Sequence, residues 1–421
     1  MTLPRRQALT LYRWHDPPVV AVALLALAAG IGQFGVVAAL GSVAKAFGHE
    51  AAGATITDQA GLSGTELGIG LAVIRLASLG SLPLAGLADR WGRRPLILWT
   101  CGVGLAFTVA ASLSPTYWAF VAIFACGRPL LSTTNGVAQV MAAEHTPAAE
   151  RAKAVALIAA AYAVGAGALT ILHALAGGVL GFRGVFAVSL IPLLALPWIA
   201  RRVHEPARFD VAARGPVHEP PVLGPVGHSH RRRLVVVCVL AFVLNMVSGP
   251  ANSFVFLYAQ NVEKLSGGVV SAMVVMAGIA GLGGLLAGRW LADHLGRRGT
   301  TALTMVGLVC FGVLAYSGPK TALVIGYVLG VLSAATFAPA GGSLMNELFP
   351  TSVRASVTGW EIAVGVLGAV AGLLIFGAVA DVGNRFALGS LAAFLPVLPV
   401  TLVIWLVPET MGREPEQLWP E

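Results

Sequence analysis

The sequence predicts an all-α membrane protein of twelve transmembrane helices, arranged as two related six-helix halves. Three observations carry this. First, 57% of the 421 residues are hydrophobic and only 11% are charged, whereas soluble domains carry about 25% charged residues. Second, about twelve apolar runs recur along the chain, each of roughly 20 residues or more and so able to cross a ~30 Å hydrocarbon core. Third, short charged motifs repeat at one spacing. Asp89-Arg90-Trp91-Gly92-Arg93-Arg94 returns 204 residues later as Asp293-His294-Leu295-Gly296-Arg297-Arg298. Glu144, Pro147 and Arg151 return 203 residues later as Glu347, Pro350 and Arg354, and Glu205 returns 204 residues later as Glu409. Three matched pairs in the same order mark a duplicated unit.

The elements follow in order. Span 1 covers about 18–42. It is too long for the core of a cleaved leader and lacks a small-residue cleavage site. An outer loop with Gly, Ala and Thr throughout runs to Glu66, and span 2 from there to the Asp89 loop. Spans 3 to 6 cover about 95–113, 117–142, 152–178 and 184–200. Pro, His and Arg then dominate 201–233, which reads as a cytoplasmic linker. Spans 7 to 12 cover about 234–259, 268–288, 301–317, 321–345, 355–379 and 386–407. The expected domains are an N-terminal bundle over 1–200, the linker, and a C-terminal bundle over 234–421.

The formal charge of +8 does not point to nucleic acid, because of where it lies. Of the 27 Lys and Arg, 20 fall in the termini and the even-numbered loops, five in the odd-numbered loops, and two, Arg75 and Arg128, inside spans. This is the positive-inside bias, so both termini are expected in the cytoplasm and the chain in the plasma (inner) membrane. Cys101, Cys126, Cys238 and Cys310 all lie in apolar runs and read as packing residues without a disulfide framework. Gly30-Ile31-Gly32-Gln33-Phe34-Gly35 matches a dinucleotide fingerprint in letters only, since no strand precedes it. No cofactor, metal or enzymatic motif is expected. Gly284 with Gly288, and Gly368 with Gly372, allow close helix approach. A monomer is expected.

Polar groups inside hydrocarbon are costly, so they mark candidate sites. Arg128, Ser132, Asn135 and Gln139 in span 4 step by 4, 3 and 4 and share one helical face. Asn245, Ser248 and Asn252 in span 7, and Ser333, Thr336 and Ser343 in span 10, do the same; Gln33 stands in span 1. Arg128 lies 11 residues past Tyr117, so ~16 Å along a helix and near the bilayer midplane. Its guanidinium fork suits a carboxylate or other anionic group of a substrate. The bland reading is an Arg held by backbone carbonyls or water. Glu361 is the acid placed inside a span and the proton-coupling candidate, with a structural role at the helix end as its alternative. His173 is a weaker candidate. Arg75 and Glu361 attract if spans 2 and 11 pack, but their expected depths differ by ~10 Å.

The Asp-Arg-x-Gly-Arg-Arg loop resembles the signature of the major facilitator superfamily. Ala85 stands where that signature usually has Gly. Glu347-Leu348-Phe349-Pro350-Thr351-Ser352-Val353-Arg354 and the Val407-Pro408-Glu409-Thr410 end resemble its sugar-porter and organic-ion branches. The resemblance implies two pseudo-symmetric bundles around a central cavity lined by helices 1, 4, 7 and 10. The polar residues found by spacing fall on those helices, which gives the substrate-binding set Arg128, Ser132, Asn135, Gln139, Gln33, Asn245, Asn252 and Thr336. The resemblance also implies a gate of helix-end ties on one side of the membrane, from Asp89, Arg93, Glu144, Arg151 and Glu205 and their repeats Asp293, Arg297, Glu347, Arg354 and Glu409. Such ties hold when the cavity opens outward and break when it opens inward.

The sugar-porter pattern is mostly lost: of Gly-Pro-x-Pro-Trp only Pro339 remains, with Gly341 and Gly342 at the later places. The Gly-Pro motif of drug exporters is absent from span 5, where Gly165-Ala166-Gly167 stands. The expectation is a secondary active transporter of a small polar, anionic metabolite, coupled to protons and working by alternating access. A proton-antiporting exporter and a non-transporting solute sensor are the alternatives.

Overall fold

The computed structural model describes residues 11–49, 60–206, 223–224, 226–227, 230–382 and 385–411. The spans form the helices α1 (Pro17–Ala38), α2 (Gly64–Gly86), α3 (Arg93–Ala111) and α4 (Tyr117–His145). Ala148–Ala187 runs through a break at Gly181, where φ is 59°, a value that favours glycine. That break ends α5 (148–180) and starts α6, which continues through Leu190–Ala200. The second half has α7 (Arg231–Val262), α8 (Gly267–His294), α9 (Gly296–Ala315), α10 (Lys320–Glu347), α11 (Thr351–Asp381) and α12 (Phe386–Leu406). The protein is therefore a twelve-helix, all-α membrane protein in two six-helix bundles. Large side chains such as Val179 and Leu286, 93% and 75% exposed, cover its outside, as acyl chains require.

Several boundaries differ from the sequence reading, among them the end of α8, at His294 rather than 288, and the end of α1, at Ala38 rather than 42. The second half starts three residues early, because Arg231, Arg232 and Arg233 form the first turn of α7. Arginine is a good helix former, and its long stem lets the charge reach the interface. α7 also ends in a π-helical turn, Tyr258–Val262, where the Glu263 N–H donates to the Tyr258 carbonyl.

In each half the helices pack as small residues allow. Gly284 and Gly288 lie against the backbone of α10 at Leu332 and Thr336, and Gly368 and Gly372 against α7 at Phe242 and Met246. A side chain at these positions would collide with carbonyl oxygens, so both Gly-x-x-x-Gly pairs serve packing. In the first half Phe120 and Phe124 stack nearly parallel, Phe186 meets both edge to face, and Phe182 meets Phe120 and Phe186 edge to face. Tyr316, Phe376, Phe386 and Phe394 form the matching cluster in the second.

The two ends of the molecule differ. One carries the loop at 89–94 and its repeat at 293–298 and is called the basic face; the other is the far face. Contacts that join the halves gather at the far face, where α2 meets α11 and α5 meets α8. Asp381 at the end of α11 accepts from the Gly64 N–H and the Thr65 hydroxyl at the start of α2, each at 3.0 Å. Behind it Gly64 and Gly68 face Gly377 so closely that a Cβ on Gly377 would come within 2.5 Å of the Gly64 carbonyl oxygen. At α5 and α8, Gly267 lies against the Ala174 carbonyl.

Candidate functional site

Arg128 and Arg75 line two cavities in common, one of about 300 Å³ and one of about 270 Å³. The first also takes Gln33, Tyr162, Ser248 and Asn252; the second takes Ser78, Ser81, Ser132, Asn245 and Glu361. The arginines thus stand between two lobes of a polar space that both halves wall. α2 tightens into a 3₁₀ turn, Ser78–Gly80, directly after Arg75, and Gly80 passes beside Pro129. Short hydroxyl side chains and a proline keep the polar wall open here.

Buried donors are left over around the arginines. Arg128 Nη1 donates to the Gln33 carbonyl over a long 3.4 Å, and the Tyr162 hydroxyl donates to Gln33 Oε1 at 3.3 Å. Nε of Arg128, Nε of Arg75 and Nε2 of Gln33 have no hydrogen-bond partner among the described residues. Two cations with spare donors in one cavity favour a ligand with negative acceptor oxygens. Glu361 is the one carboxylate in the lining of either lobe, and no ion pair joins it to Arg75 among the described residues. Asn245 sits against Gly365, with its amide donating to the Ala241 carbonyl.

The expected residues divide. Arg128, Gln33, Ser132, Asn245, Asn252 and Glu361 line the lobes. Asn135 lines neither, and its Oδ1 is buried without a partner. Gln139 is exposed and outside both. Thr336 is turned away: its hydroxyl donates to the Leu332 carbonyl and it packs on Gly284 and Gly288 of α8. Helical spacing finds a face, and in α10 that face meets a neighbour's glycines. The polar wall residues outside the expected set include Arg75, Tyr162, Ser248, Ser78 and Ser81. The sequence leaves open whether Arg75 pairs with Glu361, since their expected depths differ by ~10 Å. Tyr162 is an isolated hydroxyl in an apolar run, which was the available signal. Ser248 belongs to the polar stripe of span 7. His173 lies elsewhere, bonded to Ser42 at 2.8 Å on the far-face side.

At the basic face the repeated motifs make the same structure twice. Glu205 accepts from the N–H groups of Arg93 and Arg94 at 2.7 and 2.9 Å; Glu409 accepts from those of Arg297 and Arg298 at 2.9 and 3.0 Å. Each carboxylate therefore caps a helix N-terminus, where it suits the dipole. Burial raises the Glu409 carboxyl, but the N–H groups of Met411, Arg298, Arg297 and Thr410 outweigh it and hold the group below its ordinary range. Gly92 and Gly296 have φ of 93° and 82°. A Cβ there would also press on Glu205 and Glu409, at 3.0 and 2.6 Å. That accounts for the glycine in the motif. Arg93 pairs with Glu144 through both ends of the carboxylate, at 2.7 and 2.9 Å. The copy is looser: Arg297 reaches Glu347 at 3.4 Å and Asp293 at 3.7 Å. These ties stay within one half. Arg151 is exposed, and the side chains of Asp89 and Arg354 lie outside the described residues.

Comparison with known proteins agrees with this architecture. The model of the Major Facilitator Superfamily matches residues 22–321. A probable 4-methylmuconolactone transporter of Cupriavidus pinatubonensis is 25% identical over 84% of this chain and 84% of its own length. The cis,cis-muconate transport protein of Acinetobacter baylyi is 23% identical over 75% of this chain and 80% of its own. Among solved structures, the inward-open xylose transporter XylE of E. coli superposes with a TM-score of 0.72 at 18% identity, over 95% of this chain and 98% of that one. The chain belongs to the Major Facilitator Superfamily.

Proposed function

We propose that the chain carries a small organic carboxylate across the membrane by alternating access, with a proton as the coupled ion. The observation that carries the reading is the pair Arg75 and Arg128 on one cavity, with spare donors at both Nε atoms. The relatives support the same class, since muconate is a dicarboxylate. Gln33, Tyr162, Ser132, Asn245 and Asn252 position the rest of the molecule. Glu361 takes the proton, because it is the carboxylate that shares a lobe with both arginines. The basic face is assigned to the cytoplasm of the inner membrane, with both termini there. The halves are taken as 1–200 and 234–421, joined by 201–233, and the working unit as a monomer.

The test is uptake of labelled cis,cis-muconate and benzoate into proteoliposomes, with external pH recorded. Proton symport is expected to make the outside more alkaline as the anion enters. Losing one half of a desolvated charge pair costs about 2–5 kcal/mol, so Arg128→Ala should lower apparent affinity at least ~30-fold. If Arg128→Ala and Arg128→Lys both transport like the parent, the anion site is not here. Glu361→Gln should keep anion exchange but lose its acceleration by external acid; an unchanged pH profile removes Glu361 from the scheme.

A further inference from the structure

A larger cavity, about 700 Å³, opens at the far face and shares no lining residue with either lobe of the central one. It sits in the seam between the halves. Ser42, Lys45, His173 and Arg183 wall it from the first half, and Gln260, Asn261 and Gly267 from the second. Its volume is in the range that holds small metabolites.

The wall is built for an acceptor. Among the described residues no Asp or Glu lines it, while Arg183, Gln260, Asn261 and Ser42 all carry N–H or O–H groups. Arg183 is fixed: its two Nη groups donate to the carbonyls of Ser112 and Ser114, and the guanidinium stands over the Phe182 ring. It is a cation that does not have to be ordered by a ligand. His173 and Asn261 are only 4% and 3% exposed, and Nδ1 of the one and Nδ2 of the other lack partners. The His173–Ser42 bond is compatible with either ring tautomer, so a nearby anion can draw the proton to Nδ1 without breaking it. Gln260 and Asn261 reach the cavity from the π-helical turn of α7, which an ordinary helix would aim differently. Such turns gather at functional sites.

We propose that this cavity is a second binding site, for a small organic carboxylate, separate from the two-arginine cavity. Because its wall comes from both halves, an occupant links them and favours the closed far face. An anion abundant on the far side therefore slows the opening it needs in order to enter. This effect on transport rests on the function proposed above; the site itself does not.

The experiment needs neither transport nor a known substrate. In the full chain with its four cysteines changed to Ala, the thiol introduced by Gln260→Cys is labelled in nanodiscs by methanethiosulfonates of equal reach, one anionic and one cationic. Ser317→Cys, exposed on the far face, supplies the bulk reference. A charged cleft concentrates its counter-ion 10-fold or more, so the anionic reagent should win by ~10-fold in the Gln260→Cys variant relative to the Ser317→Cys variant. Benzoate should protect the cavity thiol where benzamide does not. Equal rates for both reagents overturn the site. Equal protection by benzoate and benzamide, or none by either, overturns the carboxylate assignment. Loss of uptake in Arg128→Ala with this pattern intact separates the two sites.

Discussion

The two faces of the molecule are held by different chemistry. At the far face the halves are held to each other, through backbone contact at Gly64, Gly68 and Gly377 and through one carboxylate, Asp381. At the basic face the charged residues fasten each half to itself: Arg93 to Glu144, Glu205 to the start of α3, Glu409 to the start of α9. The lesson is a division of labour. On the function proposed above, changes at the far face should alter the balance between conformations, and changes to the described basic-face ties should alter the integrity of one bundle.

The largest expected break in that comparison is Gly377→Val. Its side chain meets the Gly64 carbonyl, and overpacking of about 1–3 kcal/mol converts to a population shift of roughly 5- to 150-fold toward the open far face. Spin labels at Trp118→Cys and Ser317→Cys should report a new, longer distance with little change in melting temperature. Next is Arg93→Gln, which should cost about 1.5 kcal/mol of stability, against about 0.5–1 for Arg297→Gln, whose carboxylate contacts are longer. Thermal unfolding in detergent measures both. Equal losses would show that the tighter geometry of the first copy carries no energy.

Glu409 sharpens the comparison through pH. Its carboxyl lies lower in the folded chain than in the unfolded one, so the stability it gives is present above the unfolded value. That stability is lost as pH falls through the folded one. Acid melting should therefore flatten in Glu409→Gln while its labelled-distance distribution stays put. The smallest effect is Asp381→Asn. Removing a charge at a helix N-terminus is worth about 0.3–1 kcal/mol, enough to favour the open far face by ~2- to 5-fold in the same distance measurement.

Much of this was legible in the residues. The twelve spans follow from runs of apolar residues, and the duplicated motifs turn out to be duplicated geometry, down to the carboxylate above each glycine. Arg128, Gln33, Ser132 and Asn245 were found because a polar group in a span has few reasons to be there. What spacing could not supply was the neighbour. Thr336 and Arg128 obey the same periodicity, yet α8 covers one and a cavity the other. Arg75 was visible as a buried charge, but its place beside Arg128 depends on how α2 tightens at Ser78–Gly80. The far-face cavity needed the π turn of α7 and the break at Gly181, neither of which has a periodic signal.

Two guanidinium groups on one small cavity also bear on what the carrier does without cargo. Like charges repel, and closing the space around them removes the water that screens them. A carboxylate between them relieves that repulsion. On the function proposed above, the loaded carrier should therefore turn over between its facing states faster than the empty one. In kinetic terms, that reading predicts that swapping labelled for unlabelled anion across the membrane outruns net accumulation, and that anion waiting on one side hastens release of anion from the other.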